Sequence, residues 1–155
     1  MQFIYSIAVE LANKKAIINL KNHDDEYFKW CITRALNPVG YHPERITGEL
    51  IEKAKALNWS GIEFPVAADA NIINKFERNN SININVFGYE KMLFPIYVSK
   101  QHDDRVPVVD LLLISNGNAK HYCLIKNFNR LMPVKTENSH HSVHYCKRCL
   151  IGYRD

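Results

Sequence analysis

The hydrophobic pattern of this chain changes its period near residue 80, and that change limits the folds the chain can adopt. Between residue 26 and about residue 80 the apolar residues recur at helical spacing, and after residue 80 they follow the short alternating pattern typical of strands. Helices followed by strands predict an α+β domain, with N-terminal helices packed on a mainly antiparallel sheet. A chain of 155 residues is long enough for one such domain with a hydrophobic core.

The first predicted helix, residues 26–36, is expected to be central in this domain. It follows the turn 22–25, whose Asn and Asp residues are typical of helix N-caps. Apolar residues mark two of its faces, and its clearly polar positions are Lys29, Thr33 and Arg34. A helix with so few polar positions is expected to be largely buried.

The remaining pattern predicts two more helices and several strands. The Asn116-Gly117 pair is a strong hairpin signal between the last two strands. We expect the compact domain to cover 1–134, and 135–155 to form a polar, His-rich tail. The predicted helices are 43–57 and 69–79, and the predicted strands are 15–21, 82–89, 92–99, 106–115 and 122–126.

Composition excludes few classes of function. The net charge of +4 permits binding to nucleic acid or to an acidic protein surface but requires neither. No apolar run is long enough to cross a bilayer, and the N-terminal stretch lacks the leading positive charge of a secretion signal. We therefore expect an intracellular protein, cytoplasmic or nuclear, with reduced thiols.

Three residues could supply the chemistry of a thiol protease. Cys31 lies in the predicted central helix, His121 starts a predicted strand, and Asp110 opens the preceding one. An imidazole that activates a thiol is the basis of that mechanism, and Asp110 could orient the ring of His121 across the hairpin. A turn histidine flanked by core residues is the alternative, and on spacing alone it is favoured.

The position of Cys31 argues against its being a nucleophile. A reactive thiolate gains from the positive end of a helix, where it is partly exposed. Cys31 instead lies about one and a half turns in, beside Trp30, where burial would raise its pKa and leave it inert. Tyr27 occupies the first turn, but its side chain is a phenol and its alternative role is that of a core aromatic.

The tail contains half of a zinc site. Cys146 and Cys149 form a CxxC pair, which supplies two of the four ligands of tetrahedral zinc. His140 or His141 could complete the site from upstream, or the chain is part of a longer protein that supplies the second pair. A terminus with an incomplete site is the alternative.

Eight runs, in order over nearly the whole chain, carry a resemblance to a known family: 14–22, 28–38, 58–66, 75–80, 84–90, 110–115, 121–127 and 145–150. These runs resemble the region ahead of the polymerase core in protein-primed family B DNA polymerases of Polinton/Maverick transposons. The resemblance implies that the CxxC is completed downstream by a His and a Cys, and that this chain lacks those residues and the polymerase palm motifs.

The run 24–28 lies ahead of a predicted helix, and a late strand starts with His121 and an aromatic neighbour. These features give the chain a distant similarity to ovarian-tumour-type, papain-like cysteine proteases. It implies that His121 is the base and that the nucleophile position falls on Tyr27. The third member would fall on Cys123, another departure from the family, although Asp110 could replace it. A phenol, with a pKa of ~10, does not replace a thiolate as the nucleophile at neutral pH.

Three functional hypotheses follow. The first is a catalytically degenerate, protease-like accessory domain of a transposon-derived polymerase, which binds protein or nucleic acid. The second is an active deubiquitinase-like peptidase that uses Cys31, His121 and Asp110 on ubiquitin-like substrates. The third is a zinc-knuckle nucleic-acid binder whose activity lies in the tail.

Overall fold

A five-stranded mixed sheet organises the protein in the computed structural model. The structure describes residues 11, 13, 15–90, 92–100, 103–116, 119–132, 143–145, 147 and 152–154. The sheet has the order β1-β5-β4-β2-β3. Its β2–β4 pair is parallel and the other three pairs are antiparallel, which confirms an α+β fold with a mainly antiparallel sheet. The strands are β1 (Ile17–Ile18), β2 (Asn83–Glu90), β3 (Met92–Tyr97), β4 (Val108–Asn116) and β5 (Ala119–Ile125).

Three helices precede the sheet strands β2–β5 in the described chain: α1 (Tyr27–Leu36), α2 (Gly48–Lys55) and α3 (Ala70–Asn80). A short 3-10 helix, Phe128–Leu131, follows β5, and the strands β6 (Val143–Tyr145) and β7 (Gly152–Arg154) form a separate antiparallel pair. The predicted helices 26–36 and 69–79 agree with α1 and α3 to within one residue at each end.

Helix α2 is shorter than the predicted 43–57 because the carbonyl groups ahead of it are bonded elsewhere. The backbone oxygens of Pro43 and Arg45 accept hydrogen bonds from the Arg34 side chain at 2.9 and 3.0 Å. The Glu44 oxygen accepts from the Lys21 N–H. The helix starts instead at Gly48, after Thr47, whose hydroxyl accepts from Leu50 N–H as an N-cap.

Arg34 and Thr33, which the sequence places on the polar side of the central helix, are buried. Arg34 is 4% exposed and Thr33 is 0% exposed. The Thr33 hydroxyl donates to the Lys29 oxygen one turn back at 2.7 Å. Arg34 donates to backbone oxygens of the segment after the helix, including Asn37 at 3.0 Å. Helix α1 is therefore more completely enclosed than its apolar pattern alone indicates.

The sheet separates two hydrophobic clusters. The larger lies on the helical face, where Phe28 and Ile32 of α1 meet Leu111 and Tyr122 of the sheet. The smaller lies on the opposite face, where Phe87, Leu93, Leu112 and Cys123 pack with Leu11 and with Leu131 of the 3-10 helix. Strands β4 and β5 contribute to both clusters and so form the centre of the molecule.

One buried carboxylate connects α3 to the sheet. Glu77 is 1% exposed, and it accepts hydrogen bonds from Ile84 N–H at 3.1 Å and from the hydroxyl of Tyr97. Burial and the adjacent Glu77 carboxylate raise the pKa of Tyr97, so the phenol stays protonated and donates. The pair fixes β3 against the start of β2.

Candidate functional site

Tyr27, His121 and Asn19 meet at the N-terminal end of α1. Tyr27 is the first residue of the helix, and its ring centroid lies 4.2 Å from that of His121 on β5. Asn19 follows β1, which pairs with β5 through Ile18 and Leu124, so its amide lies beside the same strand. The Asn19 Oδ1 atom is 2.6 Å from His121 Nε2. The start of a helix, a central strand and the segment after an edge strand therefore contribute one residue each.

The hydrogen bond to Asn19 determines which nitrogen of His121 carries the proton. An amide oxygen only accepts, so Nε2 donates and Nδ1 holds the free lone pair of the neutral ring. The Cys123 thiol also donates to this oxygen, at 3.7 Å. Burial lowers the pKa of His121 from 6.5 to about 4, so the ring is neutral at physiological pH. The arrangement is a fixed, neutral imidazole beside a phenol.

Cys31 points into the core of the domain. It is 0% exposed, and its thiol donates to the backbone oxygen of Tyr122 at 3.4 Å. Burial, followed by the nearby Cys123 thiol, raises the pKa of Cys31 well above the ordinary value. The expectation that burial leaves Cys31 with a raised pKa is confirmed. The pKa of Cys123, which is also buried, rises to about 12 for the same reason.

Asp110 does not meet His121, contrary to the interpretation that it orients the imidazole. The hairpin register pairs Ile114 with His121, and Asp110 lies four residues before Ile114 in β4. At the rise of a strand this separation is about 13 Å. Asp110 instead accepts from Asn85 Nδ2 at 3.0 Å and forms an ion pair with Lys147 Nζ at 2.5 Å.

The proposed zinc ligands Cys146, Cys149, His140 and His141 lie outside the described residues, so a zinc site there stays a prediction. Strands β6 and β7 pair Tyr145 with Gly152, which places the CxxC sequence in the connection between them. A CxxC pair supplies half of the ligands of a tetrahedral zinc site. The residues that the structure describes contain no cluster of three or more metal-ligating side chains.

Lys147, between the two cysteines, contacts the main sheet. Besides its ion pair with Asp110, its ammonium lies 5.8 Å from the ring centroid of Phe128. The Asp110 side chain is 12% exposed, so the pair is partly shielded from water. At this residue the predicted tail packs against the domain.

Asn19 is the site residue that the sequence analysis missed. It lies inside the predicted strand 15–21, and nothing in that segment indicates which strand it pairs with. Only the pairing of β1 with β5 brings it to His121, across 102 residues of sequence.

Comparison with family models, with curated proteins and with solved structures finds no match to this chain. Within the described part of the chain, the helices are too short or too polar to span a membrane. The site geometry is therefore the principal guide to function.

Proposed function

We propose that this chain is a catalytically degenerate, cysteine-protease-like domain that acts as a binding module. Its setting would be a transposon-derived, protein-primed DNA polymerase in the cytoplasm or nucleus, and its partner a protein or nucleic acid. The proposal depends on one observation: the side chain beside the His121 imidazole, at the N-terminus of α1, is the phenol of Tyr27.

The geometry around Tyr27 supports this proposal. Papain-like proteases use a Cys, a His and an Asn, in which the imidazole activates the thiol and the amide orients the imidazole. Here Asn19 holds His121 at 2.6 Å, and the start of α1 supplies the positive end of a helix dipole. The orienting group, the base and the helix terminus are present, and the side chain at the nucleophile position is a poor acyl acceptor.

The described thiols do not offer a replacement nucleophile. Cys31 and Cys123 are both fully buried, and burial raises the pKa of each. A thiol with a raised pKa is protonated at neutral pH and reacts slowly. The active-peptidase hypothesis would therefore require Cys31 to leave the core.

Restoring a thiol at the nucleophile position tests the proposal. We expect Tyr27→Cys to react with iodoacetamide at least about tenfold faster than an unassisted thiol, because its pKa would fall beside the imidazole and the helix terminus. Mass spectrometry of the alkylated peptide measures the rate at this position. Tyr41→Cys is the matched control, because Tyr41 is 81% exposed and lies on a loop.

The second variant in the test is Tyr27→Cys combined with His121→Gln, which should lose the acceleration. A rate for Tyr27→Cys equal to that of Tyr41→Cys would contradict the protease-like geometry. Rapid labelling of the native chain at Cys31, abolished in Cys31→Ala, would instead support an active peptidase.

A zinc-knuckle binder is the second candidate function, favoured by the pairing of β6 with β7, the strands before and after the CxxC sequence. Cys146 and Cys149 would hold the zinc with ligands from His140, His141 or another segment. Metal analysis after dialysis tests occupancy. Salt-dependent DNA binding that is lost on deletion of residues 138–155 would support this candidate, and binding unchanged by the deletion would oppose it.

A further inference from the structure

An open groove of about 310 Å³ lies at the end of α1 opposite Tyr27. Its floor is formed by the start of β4 and the end of β5, including Val109 and Leu124. Its wall is formed by the C-terminal turn of α1 and by the loop after it, including Pro38 and Val39. Ligand sites in proteins begin at about this volume and are mainly apolar.

Two apolar side chains of the groove are accessible to solvent. Val39 is 45% exposed on one side, and Val108 is 51% exposed on the other. Tyr41, on the same loop as Val39, is 81% exposed and packs edge-on against His42 at 4.0 Å between ring centroids. Tyrosine is among the residues enriched at the central contacts of protein interfaces.

The loop that carries Val39 and Tyr41 is held in place from within the protein. The buried guanidinium of Arg34 donates to three of its backbone oxygens, at Asn37, Pro43 and Arg45, over 2.9–3.0 Å. A loop fixed before binding loses little conformational entropy when a partner docks. The groove wall is therefore preorganised.

The charges that line the groove favour an acidic occupant. Arg34 lines it, and its described hydrogen bonds go to carbonyl groups and not to a carboxylate. Lys126 also lines the groove and is an exposed residue. The one carboxylate among the described lining residues, Asp110, is already paired with Lys147 and bonded to Asn85. The groove thus combines apolar walls with an excess of positive charge.

We propose that this groove binds an extended peptide segment of a partner protein in which apolar side chains are flanked by acidic ones. The apolar side chains fill the space between Val39 and Val108, and the acidic side chain lies near Lys126. The site is independent of Tyr27 and His121, which lie at the other end of α1. If the groove does not bind such a peptide, the proposed protease-like geometry is unaffected.

Three acetylated and amidated tetrapeptides provide the test: Glu-Leu-Phe-Glu, Gln-Leu-Phe-Gln and Lys-Leu-Phe-Lys. Each is titrated into the full chain to about 5 mM, which detects dissociation constants in the millimolar range. Backbone amide shifts of Ala35, Val109 and Ile125 report on the groove. We expect the Glu peptide to bind most tightly and the Lys peptide to bind at least about fivefold more weakly. Added salt should reduce this difference in affinity.

Two surface variants and a matched control separate groove binding from general charge effects. Lys126→Glu should reverse the preference between the Glu and Lys peptides, and Val39→Asp should weaken the Glu peptide by about tenfold. Lys53→Glu makes the same charge change as Lys126→Glu on the exposed side of α2, and it should leave the preference intact. The proposal fails if no peptide shifts the groove amides, or if Lys53→Glu and Lys126→Glu have equal effects.

Discussion

Protonation of His121 should make this fold sensitive to mild acid. The folded protein holds the pKa of His121 at about 4, whereas an unfolded chain titrates near 6.5. Between these values the unfolded state binds a proton that the folded state does not, so stability falls as the pH falls through this window. Above pH 6.5 the ring is neutral in both states and the loss disappears.

The size of the loss follows from the two pKa values. At pH 5 the unfolded state gains about 2 kcal/mol relative to its value above pH 7, from the linkage relation. Because the ring retains some contact with water, screening reduces the expected loss to between about 1 and 2 kcal/mol. A loss of that size is a large part of the stability of a typical small domain.

Urea unfolding of the native chain and of His121→Gln, each at pH 7.5 and pH 5.0, measures this loss. Glutamine is neutral at both values and can still donate to Asn19, so the variant should lose about 1–2 kcal/mol less on acidification. The other titrating groups are common to both proteins, and their contributions cancel in the comparison. Equal losses in the two proteins would refute the assignment of acid sensitivity to a buried, neutral His121.

Three further outcomes are expected. Cys31 should react with a disulfide reagent only on unfolding, because it is fully buried; comparison with Cys31→Ser measures this, and rapid native labelling would contradict it. Tyr97→Phe should lower the free energy of unfolding by about 1–3 kcal/mol because Glu77 loses its hydroxyl donor; urea titration measures this, and no change would show that water replaces the donor. Lys147→Met should lower the free energy of unfolding by about 1 kcal/mol, and by less in an Asp110→Asn background. Additive losses in this double-mutant cycle would show that the two side chains are not coupled.

The sequence predicted the elements of the fold better than their register. Helix α1 was predictable because its apolar faces and the preceding Asn and Asp residues both indicate it. The hairpin was also predictable from Asn116-Gly117, and the structure pairs Asn116 with Ala119. Counting back along both strands from that pair places Asp110 far from His121, so the hairpin signal was also sufficient to predict their separation.

Other features depend on contacts that no local pattern contains. Arg34 is buried because the loop that follows α1 folds back and supplies carbonyl groups for its guanidinium. Strand β1 covers Ile17–Ile18 rather than the predicted 15–21, because Lys15 has a positive φ of 56° and Lys21 bonds to Glu44. The meeting of Asn19 with His121 depends on which strand lies beside β1, and the sequence does not specify that neighbour.

The position of β1 beside β5 has a consequence for synthesis on the ribosome. Ile17 pairs with Ile125, so the sheet gains this edge only after more than a hundred further residues have been added. Contacts between such distant segments form slowly, because a long loop must close first. A nascent chain that ends before β5 holds Asn19 and Tyr27 but not His121. The imidazole cluster therefore forms only when the sheet is complete, and the environment of His121 reports that the whole domain has folded.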